Sequence, residues 1–194
     1  MHWQNQLKPR PGRLDSALQA DYRASMRLRL DGRGSRWRQL AAILAHSGDS
    51  WFWMIGLALV WLLGAPDWRA RSMLLMIGVG GLALVVFRIK HVIHRPRPQG
   101  EWGAIYRNTD PHSFPSGHAA RMAMMAVIAA GLGPAWFAVL LILWAPAVSL
   151  ARVMMGVHYL SDVLAGAVFG ILAGLVMLAI QPWLVSWFHF LFYL

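Results

Sequence analysis

Residues 1–13 are polar and carry Pro9, Pro11 and Gly12, which predicts a loosely ordered tail. From Asp15 the pattern changes. Leu14, Leu18, Tyr22, Met26 and Leu30 recur at every fourth position while Arg23, Arg27 and Arg29 occupy other faces. This spacing predicts an amphipathic helix with a basic side, suited either to lying in a headgroup layer or to packing on the protein. Gly32 and Gly34 end it. A second short helix is expected over residues 37–46, too short and too basic at its start to cross a bilayer alone.

Four long stretches without Asp, Glu, Lys or Arg follow, at residues 50–66, 72–87, 122–151 and from 163 to the C-terminus, the last ending in an aromatic tail. The first two fall slightly short of the ~20 residues that span a hydrocarbon core, and flanking residues complete them. The third is too long for one crossing, and Gly131-Leu132-Gly133-Pro134 divides it into two helices. The last predicts a long helix ending near Gln181-Pro182. Its Gly166, Gly170 and Gly174 have the small-xxx-small spacing of close helix packing. Trp183, Trp187, Phe188, Phe190, Phe192 and Tyr193 fit an interfacial anchor. The expected fold is all-α: a polytopic membrane bundle of five to six transmembrane helices, residues 50–194, preceded by a basic tail and interfacial helices over residues 1–49. No strand pattern or repeat is present.

Composition agrees. Of 194 residues 58% are hydrophobic and 13% charged, against about 25% charged in soluble proteins. Eight acids are present and only Asp162 lies beyond Asp110. Cysteine is absent, which excludes a thiolate nucleophile and a disulfide framework. The formal charge is +10, and nine of the 18 Lys and Arg precede residue 50. With no nucleic-acid-binding motif beside it, this bias points to a lipid surface. No apolar segment follows the first basic residues, so the membrane helices are expected to act as their own insertion signals.

The candidate chemistry falls in two polar segments, residues 91–116 and 153–161, at helix ends on one side of the bundle. Arg88 and Lys90 end the helix before the first segment and Arg95 and Arg97 lie within it, cations whose forks and point charge suit an anionic group. Pro115-Ser116-Gly117-His118 immediately precedes a membrane helix, where free N–H groups can cradle a phosphate. A histidine on that first turn can give a proton to a leaving oxygen. Arg152, His158 and Asp162 close the set, and on a helix the last two would share a face and hydrogen-bond. A carboxylate on one ring nitrogen leaves the other free as nucleophile or base. No cluster has metal-ligand spacing, so neither metal nor cofactor is expected.

Together, Lys90 with Arg97-Pro98, Pro115-Ser116-Gly117-His118, and Arg152 with His158 and Asp162 resemble the three ordered motifs of the type 2 phosphatidic acid phosphatase superfamily. The resemblance covers residues 50–180. One departure is Ala151 where the third motif usually has Ser, which bears on substrate preference more than on chemistry.

The resemblance implies that Lys90, Arg97 and Arg152 grip the phosphoryl oxygens with help from Ser116 and the Gly117 N–H. His158 attacks phosphorus, Asp162 orients it, and His118 protonates the departing lipid oxygen. Arg121 could touch a second phosphate or act structurally. His91, His94, Arg95 and Asp110 would line the headgroup entrance. The implied substrate is a lipid phosphate: an isoprenyl (pyro)phosphate, phosphatidate or phosphatidylglycerol phosphate.

A phosphotransferase using the same phosphohistidine, and a non-enzymatic lipid-phosphate binder, are the alternatives. The superfamily's soluble haloperoxidases are disfavoured by the membrane helices. The expected location is a bacterial inner membrane. The family places its site away from the cytoplasm, whereas the positive-inside rule, applied to the basic N-terminal segment, points the other way. The outer face is the expectation adopted.

Overall fold

A computed structural model describes residues 13–30, 35–99 and 110–193. The expected tail, the Gly32–Gly34 helix stop and part of the first polar loop lie outside them. Eight helices are described: α1 (Arg13–Leu28), α2 (Ser35–His46), α3 (Ser50–Leu63), α4 (Pro66–Ile93), α5 (Gly117–Leu132), α6 (Ala135–Met154), α7 (Leu160–Trp187) and α8 (His189–Phe192). Apart from one isolated bridge between Pro96 and His112, the described residues contain no β-pairing.

The helix ends follow local chemistry. Pro66 starts α4 at a position where its missing N–H costs nothing. The Ser116 hydroxyl accepts from the Ala119 N–H and caps α5. Gly133 and Pro134 separate α5 from α6 as the sequence predicts. Two expectations need correction. α7 does not stop near Gln181-Pro182 but runs through Pro182 to Trp187, since within a bundle neighbouring groups can satisfy the carbonyl that proline leaves open. Phe192, expected at the interface, is 1% exposed and joins the core.

α5 is the central helix, packed along α7 and α6 and against α4. Its contact with α7 depends on the glycine row. A Cβ on Gly166 would meet Ser116 O at 2.4 Å, one on Gly170 would meet Ala120 O at 2.0 Å, and one on Gly174 would meet Val127 Cβ at 2.7 Å. Meanwhile Leu164, Val168, Leu172 and Val176 point outward, each more than half exposed. Small residues inward and large ones outward is the arrangement expected where the solvent is lipid.

α4, α6 and α7 are each long and apolar enough to cross a membrane, and α2 with α3, bent by 53°, could make a fourth span. α4 to α7 run up and down, so the C-termini of α4 and α6 and the N-termini of α5 and α7 meet at one end. The candidate residues are there.

Candidate active site

Lys90 occupies the last turn of α4. His94 then takes a left-handed conformation, φ 50°, and turns the chain back across the end of the bundle. The returning arm is fastened to the approach to α5 by Ser113 N–H donating to Arg95 O at 2.8 Å. Arg152 comes from the end of α6 and His158 from the turn before α7. Lys90, Arg97, Gly117, His118, Arg121, Arg152 and His158 thereby line one cavity of about 400 Å³, whose apolar wall includes Val79, Leu82, Val86 and Phe87. Lys90, Arg97, Arg152 and His158 are all buried.

The His158 ring has a defined tautomer. Arg97 Nη1 lies 3.2 Å from Nε2, and a guanidinium can only donate. Nε2 is therefore the unprotonated, accepting nitrogen, while the ring proton sits on Nδ1. Burial, and then the charges of Arg97, Arg152 and Lys90, push this imidazole well below its ordinary 6.5. The ring is thereby held neutral.

Asp162 is near Nδ1 but not as a partner on a shared helical face. His158 precedes the helix, Tyr159 is its N-cap and Asp162 is in the first turn. The Asp162 Oδ2 to His158 Nδ1 distance is 3.6 Å, too long for a hydrogen bond, and Nδ1 has no other hydrogen-bond partner among the described residues. Oδ2 instead accepts from the Tyr159 N–H at 2.8 Å, and Oδ1 from Arg95 Nη1 at 2.7 Å.

Arg95 is thus not at the entrance. It also reaches Asp21 of α1 at 2.7 Å and lies over the Tyr159 ring at 4.2 Å. Asp21 accepts from the Ser161 N–H and Oγ at 3.0 and 2.6 Å, which ties the amphipathic helix to the start of α7. Ser116 is fully buried, caps α5, and does not line the cavity. His94 is stacked edge-on with His112, ring centroids 4.6 Å apart, and does not line the cavity either.

Asp110 pairs with both Lys90 and Arg97, its Oδ2 accepting from Arg97 Nη2 at 2.7 Å. Burial alone would raise this carboxyl, but Lys90 and Arg97 outweigh it and hold it below its ordinary value. His118 Nε2 meets Asp49 Oδ1 at 2.6 Å. Burial opposes ionisation of Asp49, yet His118 and His46 lower it to about 2. Among the described residues no group of three His, Cys, Asp or Glu is placed to hold a metal.

The PAP2 superfamily model matches residues 69–186, which includes every one of these motif residues. The chain belongs to the PAP2 superfamily. Decaprenylphosphoryl-5-phosphoribose phosphatase of Mycobacterium tuberculosis is 31% identical over 137 residues, 69% of this chain and 75% of the relative. The crystal structure of the first transmembrane PAP2-type phosphatidylglycerolphosphate phosphatase from Bacillus subtilis superposes with a TM-score of 0.70 at 23% identity, covering 87% of each chain. Aquifex aeolicus LpxE gives 0.66 at 20% identity, covering 81% of this chain and 94% of its own. This PAP2 protein is an integral membrane protein, and its M. tuberculosis and B. subtilis relatives are named as phosphatases.

Sequence reasoning missed Asp49 and Asp21 in this PAP2 site. Both lie before the matched region, and Asp21 sits in no pattern that distinguishes it from a surface acid. Asp49 had one local sign: it stands between Gly48 and Ser50 just where an uncharged stretch begins.

Proposed function

We propose that this protein is a metal-independent lipid-phosphate phosphatase working through a phosphohistidine on His158. The observation that carries the reading is the convergence of a neutral His158, unprotonated at Nε2, with Lys90, Arg97 and Arg152 in one cavity. Phosphoryl transfer asks a protein chiefly for position and for charge at the equatorial oxygens, and these three cations can supply both. His158 Nε2 forms the N–P bond as the P–O bond to the lipid breaks. His118 protonates the departing oxygen and then takes a proton from the water that hydrolyses the intermediate. Asp162, held by Arg95, stabilises the His158 ring as it gains positive character.

The apolar wall on α4, formed by Val79, Leu82, Val86 and the exposed Phe87, adjoins this charge and suits a lipid chain. The relative in M. tuberculosis acts, by its name, on a decaprenyl-linked phosphoribose, so a polyprenyl-linked phosphate heads the substrate classes, ahead of phosphatidate and phosphatidylglycerol phosphate. We place the protein in a bacterial inner membrane with the site on its outer face. α3 to α7 are taken as five crossings. At 1.5 Å per residue α3 and α5 reach only about 21 and 24 Å, so they span with help from their flanks.

The test is phosphate release by detergent-purified protein from a panel of lipid phosphates in EDTA, wild type against His158→Ala. Release by wild type and its loss in the variant support the reading. Undiminished release by a folded variant overturns the nucleophile assignment. Dependence on an added acceptor lipid points to the transferase.

A further inference from the structure

Asp49 lies in the short turn between α2 and α3, 69 residues before His118. It is no passing surface acid, because the turn is held from several sides. Arg121 donates to Gly48 O through Nε at 3.1 Å and Nη2 at 2.6 Å, and its Nη1 reaches the Ser50 hydroxyl. Trp53 Nε1 donates to Ser47 O at 2.8 Å and Trp144 Nε1 to Ser47 Oγ at 2.9 Å. The backbone also passes close to the histidine itself: a Cβ on Gly48 would lie 2.7 Å from Val148 Cγ1 and 3.2 Å from His118 Cδ2. The second carboxylate oxygen is 3.2 Å from His46 Nδ1. Both ends of this carboxylate are therefore directed, and one of them is directed at His118.

We propose that Asp49 is a positioning residue for His118, binding the ring through Nε2–H so that Nδ1 is the nitrogen that exchanges protons with the leaving lipid and with water. The inference rests on the phosphohistidine reading. The site then contains two histidine–carboxylate pairs with different tasks, His158 beside Asp162 for the bond to phosphorus and His118 on Asp49 for the proton.

The electron and proton bookkeeping closes. As His158 Nε2 gives its lone pair to phosphorus, the P–O bond breaks with its electrons on the lipid oxygen. That oxygen takes the proton from His118 Nδ1 and leaves a neutral ring still hydrogen-bonded to Asp49. In the second half a water oxygen bonds to phosphorus while its proton moves to the same Nδ1, and the N–P electrons return to His158.

Electrostatics supply the reason for a carboxylate here. Arg121 and Arg152 line the same cavity as His118, as do Lys90 and Arg97, so the ring sits among four cations. A carboxylate in direct contact offsets them, and fixing one ring nitrogen also fixes where the other points. A family motif could not reveal this, since Asp49 precedes the matched residues 69–186.

The experiment compares wild type with Asp49→Asn in the same detergent on two phosphate monoesters. A long-chain alkyl phosphate needs its leaving oxygen protonated, whereas 4-nitrophenyl phosphate releases a weakly basic phenolate. We expect kcat on the alkyl ester to fall about 100-fold with KM changed by less than about threefold. The pre-steady-state burst of nitrophenolate should fall about tenfold less than that. Asp49→Glu should restore part of the alkyl activity. The ratio of the two activities in one preparation does not depend on how much of it is folded, so partial misfolding cannot imitate the result. Equal losses on both esters, or none, overturn the role of Asp49 while leaving the phosphatase reading intact. Release from neither ester by wild type overturns both.

Discussion

Asp162 Oδ2 stands 3.6 Å from His158 Nδ1 because two other donors hold the carboxylate, the Tyr159 N–H at 2.8 Å and Arg95 Nη1 at 2.7 Å. Asp162 is fully buried and the Arg95 side chain nearly so, at 0% and 17% exposure. Removing the cation strands a buried carboxylate, for which the cost is about 3–5 kcal/mol. Arg95→Ala should therefore lower the unfolding temperature in detergent and reduce turnover together. Asp162→Asn should spare more of the stability but lower kcat by about 10²–10⁴, as losing the orienting carboxylate of a histidine does elsewhere. An Arg95→Ala protein with wild-type melting and turnover would show that this contact is incidental.

Asp110 holds Lys90 and Arg97, the two cations on which a phosphate would otherwise draw. A phosphate must compete with that carboxylate. Asp110→Asn should tighten inhibition by inorganic phosphate or vanadate about threefold or more, the scale of one charge-assisted hydrogen bond shared between rivals. Unchanged or weaker inhibition constants would mean that Asp110 helps to build the anion site instead.

The glycine row makes a stability prediction with an internal control. A methyl on Gly170 would lie 2.0 Å from the Ala120 carbonyl oxygen, backbone that cannot rotate away, while one on Gly56 of α3 meets nothing within 4 Å. Gly170→Ala should destabilise by about 2 kcal/mol or more, and Gly56→Ala by less than about 0.5. Activity should fall with the first, because the Ser116 N–H bonds Asp162 O at 2.9 Å across the same interface. Thermal unfolding of both variants in one detergent checks the contrast.

The pH dependence follows from His158. Its folded value lies well below the ordinary 6.5, and it must be neutral to attack. Protonation therefore stops the reaction only when pH falls through that depressed value. After correction for the substrate's own second ionisation, near 6, the acid limb of kcat/KM should lie below 6.5. An acid limb at or above the ordinary histidine value would contradict the buried, cation-surrounded ring described above.

The sequence by itself determined the membrane character, the break at Gly133-Pro134, and the three motifs with their place at helix ends. Hydrophobic length, helix-ending residues and motif spacing are local properties, and local chemistry sets them. It also singled out the Gly166, Gly170 and Gly174 face, though not that α5 would fill it. Only the tertiary structure decided which nitrogen of His158 is unprotonated, because Arg97 acts there across 61 residues of chain. Likewise only the fold turned Arg95 from an entrance residue into the partner of Asp162, and Ser116 into a helix cap away from the cavity. Asp49 and Asp21 show the limit most clearly: each is an ordinary acid in the sequence, and each becomes part of the site because packing brings a distant turn or an interfacial helix against a buried polar group that needs a partner.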